Sequence, residues 1–409
     1  MKRYKIQYIA IVFFTIMLFA CQTEDPTMSL GIQDMYILPR MQKEKLIPAF
    51  TGQGYKWVEV LSDGRDSLVS TEKDYIFLKE KPGIYKMRFE IIDPLNYMRE
   101  EITFVVIEEQ VEYRQGITKV YEYVPAPGQF VNKMPEYEPG DTEETMCRKA
   151  EENLSAVSMI GVSLGAYGGY ITFGFDHTIM NVKGQRDFEV YGNSFYSSGE
   201  AEAKGGSNEP GIVMVSFDAN MNGIPDDEWY ELAGSEYYKK ETIKEYEIVY
   251  FKPDLDKIPT PDNEYVYLND TTYIRWESSQ KDYGYVSKNI YHDQSYWPLW
   301  IENKTITFKG TKLADNYYLI EGGASTQYIQ QAYDWGYVDN HPNSAEDKYG
   351  NKLSSFDIDW AVDKKGNRVR LPGVDFIRVY TGVNQYCGWL GETSTEIYGA
   401  KSLHVGRKY

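Results

Sequence analysis

The feature that most constrains the fold is an alternation of apolar and charged residues with a period of two. Between the turn at Pro82-Gly83 and the turn at Asp93-Pro94, apolar residues alternate with Lys86, Arg88 and Glu90. This period is typical of a half-buried strand, since successive side chains of a strand point to opposite faces. Tyr55 to Val60 and Ile102 to Ile107 are further strand candidates. Regular strands separated by turns predict a small β-sandwich for residues 28 to about 109.

The second half of the chain predicts one helix and many strands. Asp141 is a candidate N-cap with Glu144 three residues later, and Met146, Ala150 and Leu154 recur on one helical face. From Val157 onwards no second helical period is visible, and strands alternate with long aromatic loops. We therefore predict a mainly β protein, with an Ig-like sandwich followed by a larger sandwich or jelly-roll with long loops and one or a few short helices. The predicted division is a signal at 1–20, a tether at 21–27, the small sandwich at 28–120 and a ligand-binding domain at 121–409.

The composition excludes one class of partner and favours another. The formal net charge is −18, from 43 basic and 61 acidic residues, so we expect no nucleic-acid binding, which requires basic surfaces. The 37 tyrosines and 8 tryptophans offer rigid, flat contact area together with hydrogen-bonding groups. Such side chains suit glycans or large planar ligands.

The N-terminus predicts export and lipid anchoring. Three basic residues within the first five precede an apolar run at residues 8–19 that ends in Leu18-Phe19-Ala20-Cys21. The run is shorter than the ~20 residues that a spanning helix needs. It resembles a bacterial lipoprotein signal in which Cys21 is acylated, and the acidic pair in residues 22–25 resembles a Bacteroidetes surface-export signal. We expect an outer-membrane lipoprotein at the cell surface.

One loop predicts a calcium site. Asp218, Asn220 and Asn222 place oxygen atoms at positions one, three and five, and Gly223 follows at six. This spacing fits a turn that wraps a hard cation. Position twelve is a tryptophan and not the glutamate of an EF-hand, so the loop resembles the calcium loops of extracellular β proteins. The predicted structural calcium ligands are Asp218, Asn220, Asn222, Asp226 and Asp227. The alternative is an Asn-Gly hairpin turn with solvated acids.

Catalytic motifs are weak, and we expect no enzyme. Ser163 lies in a G-x-S-x-G sequence, but a strand pattern follows it where a nucleophile elbow requires a helix. The carboxylate pair Asp357 and Asp359 has no spacing that fixes a glycosidase geometry. The four histidines lack zinc spacing, although His341 lies one residue short of the D-x-H-x-x-G motif with which some corrinoid enzymes ligate cobalt. Cys147 and Cys387 are expected to be unpaired.

Two aromatic clusters with acidic and amide neighbours, at residues 291–300 and 333–340, predict a ligand platform. The alternative is that these rings fill the core. The predicted ligand-binding residues are Tyr291, Tyr296, Trp297, Trp300, Tyr333, Trp335, Tyr337, Asp339, Asn340 and Trp389.

Two resemblances to known families extend these expectations. Residues 81–85, followed by Ile92-Asp93-Pro94, resemble a PKD-like module. Much of residues 120–409 resembles the BtuH-type corrinoid-binding lipoproteins of Bacteroidetes vitamin B12 uptake loci; the matching stretches are 163–176, 208–216, 218–236, 333–340, 356–363 and 388–392. The resemblance implies capture of cobalamin, bound as a ligand and not as a cofactor, and delivery to a TonB-dependent outer-membrane transporter. A surface glycan-binding lipoprotein is the alternative, and a secreted hydrolase ranks third.

Overall fold

A computed structural model describes residues 30–94, 97–155, 160–320 and 327–407. The predicted signal, the tether and the acylated Cys21 lie outside these ranges. The chain is built mainly from β-strands, which confirms the predicted fold class. No helix in the described ranges is long and apolar enough to cross a lipid bilayer.

The chain forms two compact units. Among the described residues, unit 1 comprises those up to Leu38, Glu44–Phe77 and Gly83–Val106, and unit 2 comprises Pro39–Lys43, Leu78–Pro82 and those from Ile107 onwards. The sequence predicts a domain boundary at residue 120. That the segments on its two sides fold independently stays a prediction.

Unit 1 is a β-sandwich around one aromatic core. Its strands are β1 Met35–Pro39, β2 Glu44–Leu46, β3 Gly54–Val60, β4 Asp66–Ser70, β5 Tyr75–Phe77, β6 Gly83–Ile92 and β7 Met98–Ile107. The last residues of β1 and β7, Pro39 and Ile107, are counted with unit 2. A five-stranded sheet in the order β1-β7-β6-β3-β4 accompanies the β2-β5 pair. Trp57 is fully buried and packs against Phe89, with 4.3 Å between ring centroids. The alternating apolar residues of β6 supply this core.

Unit 2 contains the remaining strands and one α-helix. In chain order these are β8 Lys119–Val124, α1 Glu143–Ser155, β9 Val162–Ser163, β10 Tyr170–Met180, β11 Phe188–Tyr191, β12 Phe195–Tyr196, β13 Gly205–Ser207, β14 Gly211–Ser216, β15 Trp229–Leu232, β16 Ile243–Phe251, β17 Leu268–Ser278, β18 Tyr283–Asn289, β19 Thr305–Lys312, β20 Tyr317–Ile320, β21 Gln327–Gln331, β22 Ser355–Phe356, β23 Ala361–Val362, β24 Gly373–Thr381, β25 Glu396–Ile397 and β26 Gly399–Ser402. Two single 3-10 turns, Ile358–Trp360 and Gly388–Leu390, complete the helical segments of the described ranges.

A six-stranded antiparallel sheet, β23-β15-β14-β24-β10-β8, is the centre of unit 2. Ile377 and Val379 of β24 face a core shared with α1 and the sheet β22-β11-β26. Tyr380 faces the opposite core, which is shared with the sheet β18-β17-β16-β19. Because alternate residues of one strand enter two different cores, the central sheet is covered on both faces. Two further groups of paired strands in unit 2 are the sheet β12-β13-β21-β20 and the pair β25-β9.

The predicted helix is present, but its predicted cap is wrong. Met146, Ala150 and Leu154 are buried on one face of α1, as the period indicated. The Thr142 hydroxyl accepts a hydrogen bond from the Thr145 backbone N–H and caps the helix. Asp141 instead accepts from the Glu138 backbone and from Lys149 at 2.7 Å. Aspartate and threonine are both favoured N-cap residues. Here the Asp141 carboxylate forms a salt bridge with Lys149 instead of capping the helix.

Candidate functional site

Unit 2 contains an open cleft of about 1080 Å³. Four aromatic side chains lie among its lining residues: Tyr196, Trp335, Tyr349 and Trp360. We call it the aromatic cleft. A volume of this size suits a ligand larger than most cofactors, since typical small-molecule pockets measure roughly 300–1,000 Å³.

Separate segments of the fold bring the aromatic cleft together. Tyr196 ends β12, and Trp360 ends a 3-10 turn in which the Asp357 side chain accepts from the Asp359 N–H. Trp335 precedes Gly336, whose φ of +90° and close approach to the backbone of Gly234 require a glycine. The rings of Trp335 and Trp360 meet with centroids 4.7 Å apart at an interplanar angle of 56°. Two indoles therefore form one wall.

The charges in the cleft nearly balance. Three basic and four acidic residues line it. The guanidinium of Arg186 lies 4.4 Å from the centroid of the Trp360 ring, and its nitrogens are 3.7 Å from Asp347 and 3.6 Å from Asp357. Burial raises the pKa of Asp357 to about 6, against the opposing effect of its hydrogen bond from the Asp359 N–H. The cleft offers donors and acceptors without a strong field of either sign.

His341 forms a hydrogen bond to the cleft residue Tyr196, and both of its ring nitrogens have hydrogen-bond partners. It is buried, with Nδ1 2.7 Å from the Tyr196 hydroxyl and Nε2 3.1 Å from the Asp334 carbonyl oxygen. The carbonyl can only accept, so Nε2 carries the proton and Nδ1 accepts from Tyr196. Burial lowers the pKa of His341 to about 4, which keeps the ring neutral. Both ring nitrogens are therefore used in hydrogen bonds that hold residues of the cleft wall.

The predicted ligand residues do not meet at one place. Trp335 lines the aromatic cleft. Tyr296, Trp297 and Tyr337 are core side chains, each at most 2% exposed. Trp300 packs between Tyr123 and Tyr137, with ring centroids 5.6 and 6.3 Å away. These four rings pack in the core, which is the alternative that the sequence left open for them.

The remaining predicted residues divide between a loop clamp and another surface. The Asn340 side chain accepts from the Tyr333 N–H and donates to the Tyr333 carbonyl oxygen, which closes the loop that carries Trp335. Tyr291 and Trp389 are 62% and 50% exposed and are absent from the lining of the cleft.

Asp339 belongs to a buried acidic triad with Glu209 and Glu396. One carboxylate oxygen from each lies within 4.8 Å of the others. Burial, together with the charge of Asp339, raises the pKa of Glu209 to about 8, and burial raises that of Asp339 to about 6. Burial and the two neighbouring acids raise the pKa of Glu396 as well. Like charges at this distance cannot all ionise, so the triad shares protons or accepts a cation.

Ser163 belongs to the hydrogen-bond network of this triad. It is fully buried, and its Oγ is 2.8 Å from the Ser394 Oγ. The Ser394 hydroxyl in turn donates to Glu396 at 2.8 Å. In the described part of the chain Ser163 has no histidine partner. Its hydroxyl is part of the hydrogen-bond network around the triad.

The predicted calcium loop is closed by its own hydrogen bonds. Asp218 accepts from the backbone N–H groups of Asn222 and Gly223 at 3.1 Å. The amide groups of Asn220 and Asn222 donate to Asp226, at 2.9 to 3.2 Å. One Asp227 oxygen is buried without a hydrogen-bond partner among the described residues. Cation binding here would require the asparagine side chains to turn their oxygens inward, so calcium remains a prediction.

Cys147 and Cys387 are both free thiols. Sequence reasoning missed Arg186, Tyr196, Tyr349 and Trp360 as cleft residues. Trp360 follows Asp357 and Asp359 and was visible as an aromatic beside two acids. The other three carry no local signal, because only the fold brings their segments to Trp335.

Comparison with known proteins gives no family. No protein-family model matches the chain, and no curated protein matches it in sequence. Among solved structures, one described as "Structural basis for the promiscuous specificity of the carbohydrate-binding modules from the beta-sandwich super family" shares 9% identity, covering 89% of this chain and 93% of that chain, with a TM-score of 0.15. At that TM-score the likeness carries no argument about this chain.

Proposed function

We propose that this chain is a surface lipoprotein that captures a corrinoid such as cobalamin in the aromatic cleft and passes it to a TonB-dependent outer-membrane transporter. The observation that carries the proposal is the cleft itself: about 1080 Å³, with the paired indoles of Trp335 and Trp360 on one wall. The sequence resemblance to BtuH-type proteins supports the choice of ligand. Binding, and not turnover, is the proposed activity.

The chemistry of the cleft suits that ligand. Cobalamin is large, presents apolar corrin and benzimidazole faces, and carries a rim of primary amides. Indole rings match the apolar faces, while the carboxylates of Asp334, Glu346 and Asp347 accept hydrogen bonds from amides. Because His341 already uses both ring nitrogens, the proposal gives it no role at cobalt, and the periphery of the ligand makes the contacts.

The first test is retention of cyanocobalamin. The chain from Met28 is mixed with excess ligand and desalted, and the absorbance of the protein peak is measured. We expect about one ligand per chain. Trp335→Ala should weaken binding by about tenfold or more, since a stacked aromatic anchor contributes ~1.4 kcal/mol or more.

Trp389→Ala is the matched control, because Trp389 is also a half-exposed indole but does not line the cleft. Its affinity for cyanocobalamin should equal that of the wild type. A colourless protein peak would reject corrinoid capture. If neutral oligosaccharides then bound in a Trp335-dependent way, the cleft would be a glycan site, an alternative favoured by the same indoles beside carboxylates.

A further inference from the structure

A second aromatic surface lies in unit 2 outside the cleft. It consists of Tyr265, Tyr267, Tyr291, Tyr317, Tyr328 and Trp389, and we call it the tyrosine surface. These rings come from the loop before β17, the segment after β18, the β20–β21 hairpin and the turn Gly388–Leu390. Segments that are distant in sequence thus contribute rings of the same kind.

Ring contacts, electrostatic influence and the position of Gly388 place the segments that carry the six rings close to one another. Tyr265 and Tyr267 have ring centroids 5.9 Å apart, and those of Tyr317 and Tyr328 are 5.6 Å apart. Burial raises the pKa of Tyr267, and the nearby Tyr328, Tyr265 and Tyr291 raise it further. A Cβ on Gly388, directly before Trp389, would lie 2.3 Å from the ring of Tyr328.

Four of the six rings are accessible to a ligand. The exposed fractions are 62% for Tyr291, 50% for Trp389, 48% for Tyr265 and 38% for Tyr317. No described lysine or arginine lies over any of the six rings. Elsewhere in unit 2 such cover is common: Lys348 lies over Tyr349 and Arg275 over Tyr283.

Hydrogen bonds hold the backbone beneath the rings in place. The N–H of Tyr265 donates to Asp262 at 2.8 Å, and that of Tyr291 donates to Asn289 at 3.0 Å. Tyr328 is paired with Leu319 in the β20–β21 ladder. Beside Trp389, the Leu390 carbonyl oxygen accepts from Gln129 at 2.5 Å. A surface that is ordered before binding loses little entropy when a ligand arrives.

We propose that the tyrosine surface binds a neutral polysaccharide chain. Sugar rings stack their C–H faces on uncovered aromatic rings and hydrogen-bond through their hydroxyls, and tyrosine supplies both groups in one side chain. The carboxylate of Asp262, which acts electrostatically on Tyr267, and the net charge of −18 disfavour nucleic acids and acidic glycans. This site is independent of corrinoid binding in the cleft and extends the protein's role to attachment at glycan surfaces.

The test is native gel electrophoresis of the chain from Met28 in gels containing a β-glucan, an α-mannan or an arabinoxylan, with polygalacturonate as the acidic comparison. At least one neutral polymer should retard the wild type. The double variant Tyr291→Ala/Trp389→Ala should lose at least tenfold in affinity. Tyr283→Ala is the matched control, an exposed tyrosine on β18 whose ring lies under Arg275, and its mobility should follow the wild type.

The outcomes separate this site from the cleft. Trp335→Ala and excess cyanocobalamin should leave the retardation unchanged, and the double variant should still retain cyanocobalamin, which also shows that it is folded. Retardation by none of the neutral polymers would overturn the proposal, as would retardation that the double variant keeps. Concentration-dependent self-association abolished by Tyr291→Ala/Trp389→Ala, without retardation, would identify the surface as a contact between two copies of this chain.

Discussion

At the scale of single residues, the acidic triad makes stability depend on pH. A carboxyl whose pKa is higher in the folded protein binds its proton more tightly there, so folding is favoured at low pH and loses stability as pH rises towards the folded pKa. Burial and the charge of Asp339 raise the pKa of Glu209 from 4.5 to about 8. The stability of unit 2 should therefore fall between about pH 5 and pH 8.

Glu209→Gln removes one titrating group and keeps an acceptor for the Ser394 N–H. We expect the variant to lose less stability over this pH range than the wild type, by about 1 kcal/mol or more. Urea unfolding at pH 5, 6, 7 and 8 measures it. The exposed Glu264→Gln is the control and should keep the wild-type slope. Equal slopes for Glu209→Gln and wild type would show that Glu209 does not hold its proton.

Sequence reasoning at this scale identified Trp335 but not its neighbours. Trp335 was predicted from an aromatic run beside acids, a local pattern. Trp360 also follows two acids in sequence, but no local pattern pairs its ring with Trp335. Arg186 joins them only through long-range packing, with its guanidinium 4.4 Å from the Trp360 ring. Tyr296 and Trp297 show the converse, since their run looks the same in sequence yet lies in the core. Local composition cannot tell an exposed ring from a buried one.

At the scale of elements, the hydrophobic periodicity of the sequence predicts strands and the helix, because the period determines which side chains share a face. β3 and β6 begin within one residue of the predicted strands, and the buried face of α1 follows the helical period. β7 begins at Met98, four residues before the predicted Ile102. The pairing of β10 with both β8 and β24 was not predictable, since partner choice depends on contacts far apart in sequence. The same holds for the cap, where Lys149 decides between Asp141 and Thr142.

The testable prediction at the scale of elements concerns the loop at residues 218–227. If calcium binds there with a Kd of roughly 10⁻⁴–10⁻³ M, as in extracellular modules, 2 mM Ca²⁺ should stabilise unit 2 by about 1 kcal/mol. Thermal unfolding with Ca²⁺ and with EDTA measures the difference, which Asp226→Asn should reduce.

Asp363→Asn is the matched control. Asp363 closes a similar exposed turn by accepting from the Lys365 and Asn367 N–H groups, but it lies outside the predicted ligand set. Its variant should keep the full calcium effect. Equal unfolding temperatures in Ca²⁺ and EDTA for the wild type would leave the loop as a hydrogen-bonded turn with solvated acids.

At the scale of the whole molecule, each of the two units is built from segments that are not contiguous in sequence. Pro39–Lys43 and Leu78–Pro82 belong to unit 2 although they precede residue 120. Arg40 donates to the His404 carbonyl oxygen at 2.6 Å and pairs with Glu109 at 2.7 Å, with its side chain fully buried. Met41 and Leu78 pack in one cluster with Met180 and Val182. Unit 2 therefore uses residues that a cut at 120 removes.

We expect a fragment of residues 121–409 to be less stable than unit 2 in the full chain. Loss of the buried Met41 and Leu78 side chains and of the Arg40 hydrogen bonds should cost several kcal/mol, and each kcal/mol lowers Tm by about 2–4 °C in a unit of this size. Calorimetry of fragment and full chain measures the shift. In the full chain, Arg40→Met should reproduce part of it, while Arg65→Met, at an exposed arginine, should not. A fragment that melts together with unit 2 of the full chain would show instead that residue 120 is a true folding boundary, and that the early segments contribute contacts without stability.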